Sequence, residues 1–197
     1  MASRGNGAGT AAVRKLALFT LAVMMAIPLL ALARHLDVQD PNDTEGLLDV
    51  RRVEVDGTRK RPNWTITTFA AWTAREIWDT GFVIVALDTI GTRRQDYYAL
   101  VASNGRSLTA TLYRDRKQKR DRRITAVPVR RDNRRSLKVT IPLGRTQRRS
   151  SRIYSWYVQT LFSSRECPNV CFDRAPDRGM ISEPGTEPTP TTTLPTP

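Results

Sequence analysis

Apolar residues recur at every second position through most of the chain from Leu47 to Phe162, a period that leaves few options beyond half-buried strands. Leu108, Ala110 and Leu112 alternate with Thr109, Thr111 and Tyr113. Leu137, Val139, Ile141 and Leu143 do the same around Lys138 and Thr140, and Trp64, Ile66 and Thr68 share one face near the start. Tyr154, Trp156, Val158, Thr160 and Phe162 would face one way along a late strand, with Ile153, Tyr157 and Leu161 facing the other. Phe82 to Leu87 is apolar throughout, which predicts a central strand covered on both sides. In Leu47 to Val55 the phase slips at Arg51-Arg52, as a β-bulge requires. Asn104-Gly105 predicts a type I′ hairpin turn, and Asp56-Gly57 and Asp132-Asn133 mark two more turns. Thr73-Ala-Arg-Glu76 is a capping box that predicts one helical turn. The four tryptophans, Trp64, Trp72, Trp78 and Trp156, read as core and rim packing. The expectation is an all-β fold: one antiparallel β-sandwich, jelly-roll-like, of about eight strands.

An apolar run from Leu16 to Ala33 precedes this domain, with Arg14 and Lys15 before it and Ala31-Leu32-Ala33 closing it. Those are the parts of a secretory signal helix cleaved after Ala33, so the protein is expected outside the cell. The alternative is an uncleaved membrane anchor through residues 16–33, whose 18 residues barely reach across hydrocarbon; Pro28 disfavours it. The layout read from the sequence is a signal peptide at 1–33, a β-sandwich at 34–182 and a disordered Pro/Thr-rich tail at 183–197, too poor in apolar residues to fold. Cys167 and Cys171, the only cysteines, bracket the turn-forming Pro168-Asn169 and predict a small local disulfide in an oxidising compartment.

The formal charge of +13 belongs to the domain, since residues 1–33 hold three cations and no anion, leaving about +10. Arg114 to Arg135 is the densest stretch. If the segments around Ile124–Val129 and Leu137–Leu143 pair, Arg130, Arg131, Arg134 and Arg135 surround the turn between them and become candidates for holding a polyanion by counterion release. Outside a cell, that means an anionic cell-wall polymer or polysaccharide. No aromatic residue interleaves with the run, which argues against specific nucleic-acid recognition, and the membrane is a partner only if residues 16–33 stay attached. The competing reading is a sheet edge protected by charge.

Acidic residues are concentrated in one loop: Asp37, Asp40, Asp43, Glu45 and Asp49, with Asn42 among them. Several oxygens gathered on a turn suit Ca²⁺, and Asp40, Asp43, Asp88 and Asp177 are the candidate ligands. The alternative is that Asp and Asn serve there as turn formers. With His35 as the only histidine and both thiols committed, Ser-His-Asp and Cys-His catalysis have no residues to use. A carboxylate pair drawn from Glu76, Glu166 or the aspartates is the remaining catalytic option, and no spacing selects one.

The opener Asp40-Pro41-Asn42-Asp43-Thr44-Glu45-Gly46-Leu47-Leu48-Asp49 and the closer Asp173-Arg174-Ala175-Pro176-Asp177-Arg178-Gly179 resemble secreted all-β modules of actinobacteria. The resemblance spans about Asp37 to Met180 and implies a sandwich module with no activity to carry over. Where such modules carry an acidic Asp-Thr-Asp-x-Asp-Gly loop, this chain reads Asp88-Thr89-Ile90-Gly91-Thr92, which shifts weight to the opener as the metal loop. The sequence reading is a secreted, non-catalytic binding or adhesion module for an extracellular anionic surface. Its alternatives are a calcium-stabilised accessory domain without a polyanion ligand and, less favoured, a wall-glycan hydrolase.

Overall fold

The structure, a computed structural model, describes residues 35–58, 60–146, 154–165 and 167–183. The signal or anchor segment, Ile153, Glu166 and the tail beyond Glu183 lie outside the described residues. The chain divides after Leu32 into two units, and every described residue falls in the second. Among these residues no helix is long and apolar enough to cross a membrane.

Two antiparallel sheets face each other. The first contains β1 (Leu36–Gln39), β2 (Val50–Thr58), β3 (Arg61–Thr68), β8 (Val129–Arg131) and β9 (Ser136–Thr140), in the order β1-β2-β3-β9-β8. The second contains β4 (Gly81–Asp88), β5 (Tyr97–Ser103), β6 (Leu108–Arg114), β7 (Arg122–Ala126), β10 (Tyr154–Phe162), β11 (Cys171–Ala175) and β12 (Ile181–Glu183). Its order is β11-β10-β4-β5-β6-β7, with β12 beside β10 as well. The sandwich expected from the alternation is therefore present, with twelve described strands in place of about eight.

The extra strands come from interruptions that hydropathy does not register. The basic stretch enters two sheets rather than one hairpin: Val127 N–H donates to Ala110 O at 3.0 Å in the second sheet, and Pro128 O accepts Thr140 N–H at 3.0 Å in the first. Proline has no N–H with which to extend the β6 ladder, so the chain changes sheets there. The anticipated pairing of Ile124–Val129 with Leu137–Leu143 is replaced by β7 on β6 and by the short hairpin β8–β9. The edge strand opposite β10 is likewise cut in two. β11 pairs with Val158 to Phe162 and β12 with Tyr154 to Trp156, leaving the Pro176–Met180 loop to bulge out opposite Tyr157. Glu183 belongs to β12, one residue past the expected tail boundary.

Inward phases match the sequence. β10 alternates buried and half-buried from Tyr154 to Phe162 without a break, and the bulge falls between Val50 and Arg52. Trp64 from one sheet meets Trp156 from the other edge to face at 6.4 Å, both fully buried. Trp72 joins them in the core, whereas Trp78 is 59% exposed. β4 is central, yet Phe82 and Ile84 are half-buried on its outer face, where no layer of the described residues covers it; Ala86 is covered by its ladder neighbours Tyr98 and Tyr157. In the hairpin after β5 only Gly105 has positive φ, +86°, with Asn104 N–H donating to Ser107 O at 3.1 Å. Type I′ needs positive φ at both central residues, so the turn differs from the one expected, and Ser107 N–H donates to Asn104 Oδ1 at 2.8 Å. The capping box forms: Glu76 accepts from Thr73 N at 2.7 Å and Thr73 Oγ1 accepts from Glu76 N at 3.3 Å. It closes a series of turns rather than a helix.

Candidate functional site

The acidic opener runs along the seam between the sheets. Asp40 N–H donates to Arg51 O at 3.0 Å, tying the loop start to β2, and Thr160 Oγ1 on β10 donates to Leu48 O at 2.7 Å. Asp49, just before β2, is 2% exposed. Across the seam, Asp173 occupies an inward position of β11, 4% exposed, because β11 alternates and its neighbours Phe172 and Arg174 take the outward phase. Its Oδ2 accepts Val50 N–H at 2.6 Å and so joins the edge of one sheet to the start of the other.

Carboxylate oxygens of Asp43, Asp49 and Asp173 lie within 4.8 Å of one another. That span is about twice a Ca²⁺–O bond of roughly 2.4 Å, so the group is one that could hold a metal ion. Asp43 is exposed and the other two are buried, which gives the cluster one open side. It faces a cavity of about 740 Å³ along the Asn42–Gly46 loop, where Asn42, Thr44 and Glu45 add further oxygens.

The electrostatics are adverse for three bare carboxylates. Burial, then the charges of Asp173, Asp177, Asp43 and Asp49, pushes the Asp40 carboxyl up to about 7. Burial followed by Asp173 and Asp43 raises Asp49 to about 6, against a lowering contact from the Thr44 backbone. Asp173 is raised by burial, opposed by the Val50 and Arg174 amides. Asp49 Oδ1 and Asp40 Oδ2 are buried without a hydrogen-bond partner among the described residues. Buried anionic oxygens with no donor are costly unless a cation or proton compensates them, and a donor set of oxygens alone, without His or Cys, fits a hard divalent ion.

Of the four ligands expected from sequence, Asp43 is in the cluster, while Asp40 and Asp177 are close enough to act on its charges. Asp88 is elsewhere. It ends β4 and accepts four backbone N–H groups of its own loop, from Ile90 (3.1 Å), Gly91 (2.7 Å), Thr92 (3.2 Å) and Arg93 (2.6 Å). Its oxygens are used in fixing that turn. Asp96 is used similarly, accepting Thr89 N–H at 2.8 Å and Thr89 Oγ1 at 2.7 Å. Two members of the cluster were not among the candidate ligands: Asp49, which the sequence places in the acidic loop, and Asp173. An acidic residue at the inward phase of a short alternating segment is the signal that could have found Asp173.

The arginine candidates divide as well. Arg131 stacks over Trp72 at 3.7 Å and donates to Asn133 O and Arg134 O, and burial lowers its pKa. It is a packing residue of the hairpin. Arg130 pairs with Asp132 at 3.0 Å. Arg134 and Arg135 anchor the turn through their carbonyls, which accept Trp72 N–H at 3.0 Å and Thr68 N–H at 2.9 Å. Cys167 and Cys171 are disulfide-bonded, with Cα atoms 5.5 Å apart. No family model, curated protein or solved structure matches the chain.

Proposed function

We propose that this is an exported, non-catalytic β-sandwich module in which Asp43, Asp49 and Asp173 hold a structural calcium ion. One observation carries the reading: two carboxylates of the opener loop and one of β11 converge on the seam, with buried oxygens of Asp49 and Asp40 unpartnered among the described residues. An ion there fastens the opener loop and β2 to the edge strand β11, which otherwise meet through few polar bonds. The disulfide fits delivery to an oxidising compartment. So does the resemblance to secreted actinobacterial modules. The net positive charge favours an anionic wall polymer or polysaccharide as the surface the module meets, through diffuse attraction that salt weakens.

Calorimetric titration with CaCl₂ at pH 7.5 tests the reading. One ion is expected to bind per chain, and Asp173→Asn should weaken it at least tenfold. Absence of saturable binding at millimolar calcium would remove the proposal.

A further inference from the structure

A second cavity, also of about 740 Å³, opens on the outer face of the second sheet, where the edge strand is interrupted between β11 and β12. Its lining carries, among the described residues, three arginines, Arg93, Arg94 and Arg174, and no carboxylate. Among the described residues none of the three has an acidic partner. Such a cavity is a region of positive potential lined by forked donors, the arrangement that suits an oxyanion.

One of the cations, Arg174, is held in place by its own side-chain contacts. Arg174 lies flat over the Tyr157 ring at 4.0 Å and donates through Nη2 to Gly179 O at 2.5 Å. Its Nε is buried and has no acceptor among the described residues. Tyr157 is fixed in turn, its hydroxyl donating to Gln95 Oε1 at 2.8 Å while Gln95 Nε2 donates to Asp115 at 3.0 Å. Arg93 and Arg94 follow directly on the loop that Asp88 pins with four amide bonds, with Arg93 itself at φ +59°. The Asp88 carboxylate, apart from the acidic cluster, thus fixes the backbone from which Arg93 and then Arg94 extend. Ser155 and Ser182, whose hydroxyls are 3.0 Å apart, supply neutral polar contacts at the cavity's other side. The volume is that of sites that enclose small organic ligands and exceeds what a lone inorganic ion needs.

We propose that this cavity binds an oxyanion-bearing saccharide, with Arg93, Arg94 and Arg174 on the phosphate or carboxylate and the serine hydroxyls beside the sugar. The site goes beyond the cation reading and does not depend on it, although Arg174 follows Asp173 in sequence. It also differs from diffuse attraction at the β8–β9 hairpin, since three arginines lining one cavity discriminate one ligand from another.

Calorimetric titration of the full chain, in calcium and 150 mM NaCl, with glucose 6-phosphate, glucuronate and glucose tests it. Saturable one-to-one binding of at least one acidic sugar is expected, with none of glucose, and the acid that binds identifies the oxyanion. Arg93→Gln with Arg94→Gln, both at exposed positions, should weaken binding at least tenfold; Arg130→Gln with Arg134→Gln and Arg135→Gln should leave it unchanged. No binding of either acid at 10 mM overturns the proposal, as does an unaffected Arg93/Arg94 variant or an equal loss in the hairpin variant. Calcium binding is scored by its own titration, so either result can fail alone.

Discussion

Asp173 and Arg174 are consecutive residues of β11 with opposite charges, and the pleat sends them to opposite faces of the sheet. Asp173 enters the seam, where carboxylates crowd together under burial and two oxygens lack donors. Arg174 lies outside, over Tyr157, in a cavity whose other cations are exposed. The two regions therefore differ in what they require. Like charges out of water destabilise the fold until a cation neutralises them. Like charges at a solvated surface cost little and remain available to a ligand. On the two proposals made above, the acidic seam serves stability and the basic cavity recognition.

Disrupting the core beneath both regions should have the largest effect. Trp156 is fully buried against Trp64, and Trp156→Ala is expected to cost about 3–5 kcal/mol. A urea melt should show it, with both titrations weakened together.

The pH response should separate the regions. With divalent ions chelated, the folded chain keeps protons on Asp40 to about pH 7 and on Asp49 to about pH 6, whereas the unfolded chain releases them near pH 3.8. Stability from these groups is then present below about pH 3.8 and is lost as pH climbs through 6 and 7. Thermal melts in EGTA should fall over that window, and millimolar calcium should flatten the curve above pH 7. A curve that rises with pH in EGTA would contradict the account of the seam.

A smaller effect distinguishes packing arginines from solvated ones. Arg131→Ala removes the guanidinium 3.7 Å from Trp72 and should cost on the order of 1 kcal/mol. Arg130→Ala, whose pair with Asp132 is exposed, should cost less than about 0.5 kcal/mol by the same denaturant melt.

Local alternation made most of the fold legible. The inward faces of β3, β6, β9 and β10, the bulge at Val50–Arg52 and the capping box follow from neighbours in sequence. What hydropathy could not show was where a ladder changes partner. Pro128 acts by lacking a donor, and the loop between β11 and β12 acts through the register on β10. The site was half legible for a related reason. Asp43 and Asp49 sit in one acidic loop, while Asp173 comes from 124 residues beyond Asp49 and is brought there only by sheet packing. Asp88 misled because a carboxylate closing a turn and one awaiting a cation share the same local composition.

The most direct measurement of the central claim is the melting temperature of Asp49→Asn against the unsubstituted chain at pH 8, once in EGTA and once in calcium. The account predicts a reversal: the substitution raises the melting temperature in EGTA, by removing one of several crowded charges, and lowers it in calcium, by removing a ligand. The same sign in both conditions, or no response of the unsubstituted chain to calcium, would contradict it.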